Sequence, residues 1–201
     1  MISSRANLSR NLISIPTLLL AASLALPSCK TGPSPVGIGT RGEGATKIME
    51  RAPIDIAVLP VVNNTGKNVP ASVLRASFQQ GLVERRYSPL SLEYVDRNIT
   101  EASYNPGASQ EQAVCTIEIA RWDTSLWETH NALQVNLVVR IVDATSGQEL
   151  WKGSVDQRFD LGTQIENLPT ETQRIQKTCD ILSTEVLQKL PPRVARSPME
   201  Q

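Results

Sequence analysis

The sequence predicts an α/β domain on one mixed sheet: a strand–helix–strand (βαβ) unit, then a three-stranded antiparallel meander, then a C-terminal helix. Three observations carry that prediction. The run Asp55-Ile56-Ala57-Val58-Leu59-Pro60-Val61-Val62 is apolar without alternation, as a strand buried on both faces requires. Three stretches between 114 and 159 have a two-residue period and short connections, which join antiparallel strands. After 170, Ile175, Cys179, Leu182, Val186 and Leu190 form one apolar stripe at helical spacing.

Residues 1–28 precede the domain and have the parts of a secretory signal peptide. Arg5 and Arg10 supply positive charge, no acidic residue occurs before Glu43, and an apolar stretch runs from Leu12 to Leu26. Pro16 and Pro27 interrupt it, and it falls short of the ~20 apolar residues of a spanning helix. It ends in Leu26-Pro27-Ser28-Cys29, which reads as a lipobox. Cleavage there makes Cys29 the lipid-bearing N-terminus; the alternative is an ordinary cleaved signal with Cys29 unmodified. Each buried methylene contributes about 0.8 kcal/mol, so two or three acyl chains would hold the protein at a membrane. Residues 30–53 are rich in Gly, Pro, Ser and Thr and lack periodicity. With Cys29 they read as a lipidated N-terminus and flexible tether over 29–53.

A single domain is expected over 54–190. After the first strand, Asn63-Asn64-Thr65-Gly66-Lys67 is a turn, and Pro70 can open a helix. Val73, Leu74, Phe78 and Leu82 continue it to Arg85-Arg86. Leu90, Leu92 and Tyr94 alternate with Ser91, Glu93 and Val95, which predicts a second strand over 90–95, parallel to the first. Residues 96–112 are polar and broken at Asn105-Pro106-Gly107, with a short helix expected around Ile99 to Tyr104. The meander strands follow over 114–126, 133–141 and 150–159, with Ser146-Gly147 in the last turn. Pro191-Pro192 stops the final helix, and 191–201 reads as a loose tail.

Composition narrows the function. The chain has 201 residues, equal numbers of acidic and basic side chains, and 4% aromatics. The leader takes two of the basic residues, so the mature chain is slightly acidic, which argues against nucleic acid. So few aromatics also argue against an extended aromatic groove. Cys115 alternates with Ile117 and Ile119 on a strand and Cys179 lies on the helix stripe, so both point inward. Outside the inner membrane they either pair as a disulfide or sit as two buried thiols. Two thiols and one histidine are too few for a tetrahedral metal site, and no cofactor is implied.

Candidate chemistry is sparse. His130 sits in the polar stretch Glu128-Thr129-His130-Asn131 with no nucleophile elbow in the chain, so it reads as a solvated turn residue and no catalytic residue is assigned. Asn63, Asn64, Thr65 and Lys67 lie between a strand and a helix, where open α/β sheets bind ligands, but the phosphate-loop spacing is missing and a structural turn is the simpler reading. Trp122 and Trp127 lie near a hairpin end; tryptophan is enriched at binding hot spots, though on strands it more often fills a core. Trp122 falls opposite Cys115, Ile117 and Ile119 unless a bulge intervenes. Trp151 shares a face with Val155 and Phe159 and reads as core.

Three stretches carry a family resemblance: Ile56-Ala57-Val58-Leu59-Pro60-Val61-Val62-Asn63-Asn64-Thr65, Gln112 to Trp122, and Val142 to Gly153, with Val95-Asp96-Arg97 a weaker fourth. Together the chain resembles bacterial envelope lipoproteins of unknown function whose domain is like the N-terminal domain of TolB and the periplasmic domain of CsgG. The likeness spans about 54–190. It departs at Glu111-Gln112-Ala113, where Gly-Ala-Asp is common, and 98–112 is short for the usual second helix. The resemblance implies a fold and no catalytic residues; members of the wider set form rings or activate wall synthases. Lys30, where Asp would signal inner-membrane retention, implies the periplasmic face of the outer membrane. The expected function is a non-enzymatic accessory or assembly lipoprotein that contacts other envelope proteins or itself. The alternative is a small-ligand binder that uses the turn from Asn63 to Pro70.

Overall fold

The computed structural model describes residues 41–100, 106–107 and 110–194. The leader, Cys29 and 30–40 lie outside the described residues, as do 195–201 and most of the helix expected around Ile99 to Tyr104. In chain order the elements are β1 (Arg41–Glu43), α1 (Ala45–Arg51), β2 (Asp55–Val58), β3 (Val62–Asn63), α2 (Ala71–Glu84), β4 (Ser88–Pro89), α3 (Leu92–Thr100), β5 (Ala113–Asp123), α4 (Trp127–His130), β6 (Ala132–Asp143), β7 (Glu149–Asp160), α5 (Gly162–Glu166) and α6 (Glu171–Leu187).

The sheet runs β1-β7-β6-β5-β2-β4, with β3 pairing β5 beyond the end of β2. β2 is parallel to both β4 and β5, whereas β5, β6 and β7 form the antiparallel meander. The α/β class, the mixed sheet, the meander and the closing helix are therefore as the sequence predicts. Along β6 the odd-numbered residues Leu133, Val135, Leu137, Val139 and Ile141 are fully buried while the even-numbered residues from Gln134 to Val142 are half-exposed or exposed. This alternation turns one face of the meander toward α2 and α6. Leu74, Phe78 and Leu82 from α2 and Cys179, Leu182 and Val186 from α6 complete the core. The two helices lie close because Gly81 has no side chain; a Cβ there would sit 2.6 Å from Leu187 Cδ1. The opposite face of the meander is polar, and Arg140 bridges Glu118 at 2.8 Å and Glu149 at 3.5 Å across it.

Four expectations are corrected. Residues 90–95 are not a strand: Leu90 and Ser91 lead into α3, where the Ser91 hydroxyl accepts from Tyr94 N at 3.3 Å and Val95 packs inward at 1% exposure. Leu92 and Val95 are spaced i, i+3, so the helical period wins over a six-residue alternation. The parallel neighbour of β2 is instead the two-residue β4, whose Pro89 has no N–H to donate and so suits an edge. The first strand also breaks at Leu59-Pro60, and Val62 beyond it is exposed.

Residues 41–53 are not a free tether. β1 pairs with β7, and α1 buries Ile48 completely. Gly44, at φ 85°, makes the turn between them at a place where a Cβ would strike the Leu150 carbonyl at 2.4 Å. One buried apolar residue gives no stripe to read in sequence, so tertiary contact orders this segment. The described start of the tail is held too. Tyr87 Oη donates to the Pro191 carbonyl at 2.9 Å, and Arg193 N donates to the Arg85 carbonyl at 2.9 Å.

Candidate functional site

A bulge in β5 determines where the two hairpin tryptophans go. The β5–β6 register shifts between Ile119 and Arg121, so Ala120 is the extra residue. One extra residue exchanges the faces of everything after it. Trp122 therefore lies on the same side as Cys115, Ile117 and Ile119, at 6% exposure. Beyond Asp123 the chain turns, with Ser125 N donating to Asp123 Oδ1 at 3.0 Å, and α4 brings Trp127 to the same end of the sheet. Hydrogen bonds from Ser125 and the nearby Lys67 ammonium, 3.6 Å away, hold the Asp123 carboxyl below its ordinary pKa.

Helix α6 supplies the opposite wall. Thr170 caps it by accepting from Gln173 N at 3.3 Å. Glu171, Ile175 and Thr178 then fall at i, i+4, i+7 on one face. Glu171 Oε1 accepts from Trp127 Nε1 at 3.1 Å and its Oε2 accepts from Arg174 at 3.1 Å. Arg174 in turn stacks on the Trp127 ring at 5.0 Å from the centroid and donates to Asn131 Oδ1 at 2.8 Å. The indole is thus held at its Nε1 by Glu171 and on one face by Arg174. The charges of Glu171 and Arg174 are opposed, which leaves this wall near neutral.

Trp122, Trp127, Pro70 and Ile175 enclose a cleft of about 260 Å³, with Thr178 inside and Glu171, Asn68 and Thr124 at the exposed rim. The Thr178 hydroxyl donates to the Arg174 carbonyl at 2.8 Å, so it faces the cleft as an acceptor. The arrangement suits an apolar or flat group that brings its own donors.

The other sequence candidates divide around this cleft. Asn63, Asn64, Thr65 and Lys67 do not line it. Their polar groups close on one another: Asn63 Nδ2 donates to the Lys67 carbonyl at 2.8 Å, Thr65 N and Oγ1 donate to Asn63 Oδ1 at 3.0 and 2.7 Å, and Lys67 N donates to Thr65 Oγ1 at 3.0 Å. Asn64 N donates to the Ile119 carbonyl, continuing the β3 ladder. What the turn does is deliver Asn68 and Pro70 to the rim. The sequence reading found both tryptophans and missed Thr124, Glu171, Ile175 and Thr178; the signal for the last three was their spacing just after a capping threonine.

His130 is exposed at the end of α4 and shares a hydrogen bond of 2.7 Å with Thr129 Oγ1. Cys115 and Cys179 are both completely buried and both free, so the disulfide alternative is corrected to two thiols. Each is a core side chain, one on the central strand and one on the covering helix. Burial pushes both thiols up to about 12, with Asp180 adding to the effect at Cys179.

No family model matches the sequence, and no curated protein does. The fold has solved relatives. The chain is similar to the PelC dodecamer of Paraburkholderia phytofirmans. That alignment has 11% identity and a TM-score of 0.50, and it covers 77% of this chain and 98% of that one. Lipoprotein GNA1162 from Neisseria meningitidis aligns at 20% identity and a TM-score of 0.47, over 66% of this chain and 97% of that one. The C-terminal domain of LpoB from Salmonella enterica aligns at 16% and a TM-score of 0.37, over 52% and 83%. The likeness to PelC shows a shared fold.

Proposed function

We propose that this protein is a lipid-anchored, non-enzymatic accessory or assembly factor of a bacterial envelope, one that works through contacts with other envelope proteins or with further copies of itself. The observation that carries this reading is the cleft between Trp122 and Trp127. At about 260 Å³ it is smaller than most small-molecule sites, which run from roughly 300 to 1,000 Å³. Its Trp127 wall is held by Glu171 and Arg174, its Trp122 wall is packed in the core, and its rim is open at Asn68 and Thr124. Those are the properties of a socket for one anchoring side chain of a partner. That PelC is a dodecamer supports self-assembly as one form of such contact.

The test is a photo-crosslinking residue at Thr124 in the full-length protein, expressed in its own cells. The expected result is a discrete protein adduct, either with an envelope protein or as multiples of this chain. Trp127→Ala should remove the adduct while the protein stays folded. A folded, membrane-associated protein that yields no protein adduct counts against the reading. A small neutral ligand in the same cleft is the second reading, favoured by Thr178 inside it and Glu171 at its rim as acceptors. Native mass spectrometry would reveal it as a small added mass that Trp127→Ala loses.

A further inference from the structure

A second surface, away from the tryptophan cleft, combines exposed apolar side chains with an excess of positive charge. Met49 and Val194 border one cavity with Ile48, Tyr87 and Arg193 and are 53% and 70% exposed. Ile54 is a neighbour at 41% exposure, its carbonyl accepting from Ser88 N beside Tyr87. Arg85 and Arg86 lie at the C-terminus of α2, on the groove that Pro192 also lines, and the Arg85 carbonyl accepts from Arg193 N. Glu84 is the carboxylate on that groove. Glu50, on α1, belongs to a different cleft, with Arg51 and Asp143. Among the described residues, Arg85, Arg86 and Arg193 form no ion pair, and Arg193 Nε is buried without an acceptor.

Two further observations bear on what covers this surface. Arg86 has φ 67°, at the residue that closes α2, where Tyr87 N reaches back to the Leu82 carbonyl at 3.0 Å. Glycine is the low-energy residue for that conformation, so an arginine is held there at a cost to the fold. Complementing the helix dipole would explain Arg85 and Arg86 but not Arg193, which comes from another segment. The second observation is the entry of the chain. Gly42 of β1 lies against Lys189, where a Cβ would be 2.5 Å from Lys189 Cβ, and Lys189 leads directly into the segment that ends at Arg193 and Val194. The first described strand therefore starts beside the segment that carries Arg193 and Val194. From Lys30 to Arg41 the chain reaches at most about 40 Å.

We propose that this face, centred on Met49, Val194, Arg85, Arg86 and Arg193, docks on an anionic phospholipid bilayer. The apolar side chains enter the headgroup region and the guanidiniums meet lipid phosphates. The inference rests on the proposed anchor only for bringing the bilayer near, and it can be tested without acyl chains. The mature chain with Cys29→Ser, made without its leader, is sedimented with phosphatidylcholine vesicles with and without phosphatidylglycerol.

Binding is expected to the phosphatidylglycerol vesicles and to weaken with salt. Each basic residue near such a surface contributes about 1 kcal/mol, so replacing Arg85, Arg86 and Arg193 together by Gln lowers partition ~100-fold. Arg86→Gly alone loses ~5-fold on the same basis, yet its thermal midpoint is unchanged or raised, which separates lipid contact from folding. Arg158→Gln on β7 leaves binding unchanged. Equal binding to both vesicle types, or Arg86→Gly and the folded triple variant binding as the parent does, overturns the proposal. So does a photo-crosslink from Val194 to a protein in cells without vesicle binding in vitro. Whether Cys29 is acylated is read separately from the intact mass of the native protein, so either inference can fail alone.

Discussion

Cys115 and Cys179 show how burial decides the behaviour of a side chain whose chemistry is otherwise versatile. Their free, fully buried thiols, with pKa values pushed up to about 12, carry almost no thiolate at neutral pH, and the thiolate is the reactive form. Native protein should therefore resist maleimide, whereas protein unfolded without reductant should take two labels at these positions, read by mass. A disulfide would give none. Asp143 is the second residue with a measurable consequence. Its Oδ1 accepts from Thr145 N at 3.0 Å and from Ser146 N at 2.8 Å, which shapes the β6–β7 turn, and its Oδ2 accepts from Arg51. Arg51 is the main cause of a carboxyl pKa lowered to about 2. Because the folded value lies below the unfolded ~3.9, the stability from this group is present above about pH 4 and lost as pH falls toward 2. Asp143→Ala should cost ~1–3 kcal/mol at neutral pH by orphaning the turn donors. It should also flatten the acid limb of the stability curve between pH 4 and 2, which urea melts would measure.

At the scale of elements, β7 and α6 meet at a glycine. A Cβ on Gly153 would lie 2.2 Å from Trp151 Cη2 and 2.8 Å from Val186 Cγ1, and Trp151 is fully enclosed. Gly153→Ala should therefore destabilise by ~1–3 kcal/mol, as overpacking does, with the shift seen in thermal or urea unfolding. The same element shows what is legible in sequence. β5, β6, β7 and α6 are long, and their periods repeat often enough to outweigh any accidental pattern. The start of α3 is illegible because 90–95 offers only six residues, over which an alternation and a helical stripe look alike. β1 and α1 were misread because their order comes from β7 and the core rather than from their own residues. The site divides in the same way. Both tryptophans were visible as rare residues near a hairpin end. The bulge at Ala120 was not, because its effect appears only when β5 is set against β6. Glu171 and Thr178 are hidden beside the apolar stripe of α6, to which Ile175 itself belongs, because a residue at the edge of a core stripe looks like the boundary of the core.

At the scale of the molecule, the fold shortens the lead from Cys29 to the domain. Composition extends the tether to Pro53, but β1 and α1 pack on the domain and take residues 41–53 out of it. The fully extended reach falls from ~80 Å to ~40 Å, and a flexible coil covers less. On the two proposals made above, a domain held that closely would present the Met49–Arg193 side to the bilayer and leave the Trp122–Trp127 cleft to a partner. The anchor and the docking face then make separable contributions. Acyl chains hold the protein through many buried methylenes and are indifferent to salt, whereas three guanidiniums act through charge and are screened. Cys29→Ala should therefore remove the acyl mass and release the protein from membranes washed in high salt, while leaving a weaker association at low salt. Charge substitution at Arg85, Arg86 and Arg193 should leave the acylated protein on the membrane under both conditions. Unchanged membrane association and unchanged mass in Cys29→Ala would refute the lipid anchor. Release of the acylated triple variant by salt alone would mean that charge, and not lipid, carries the attachment.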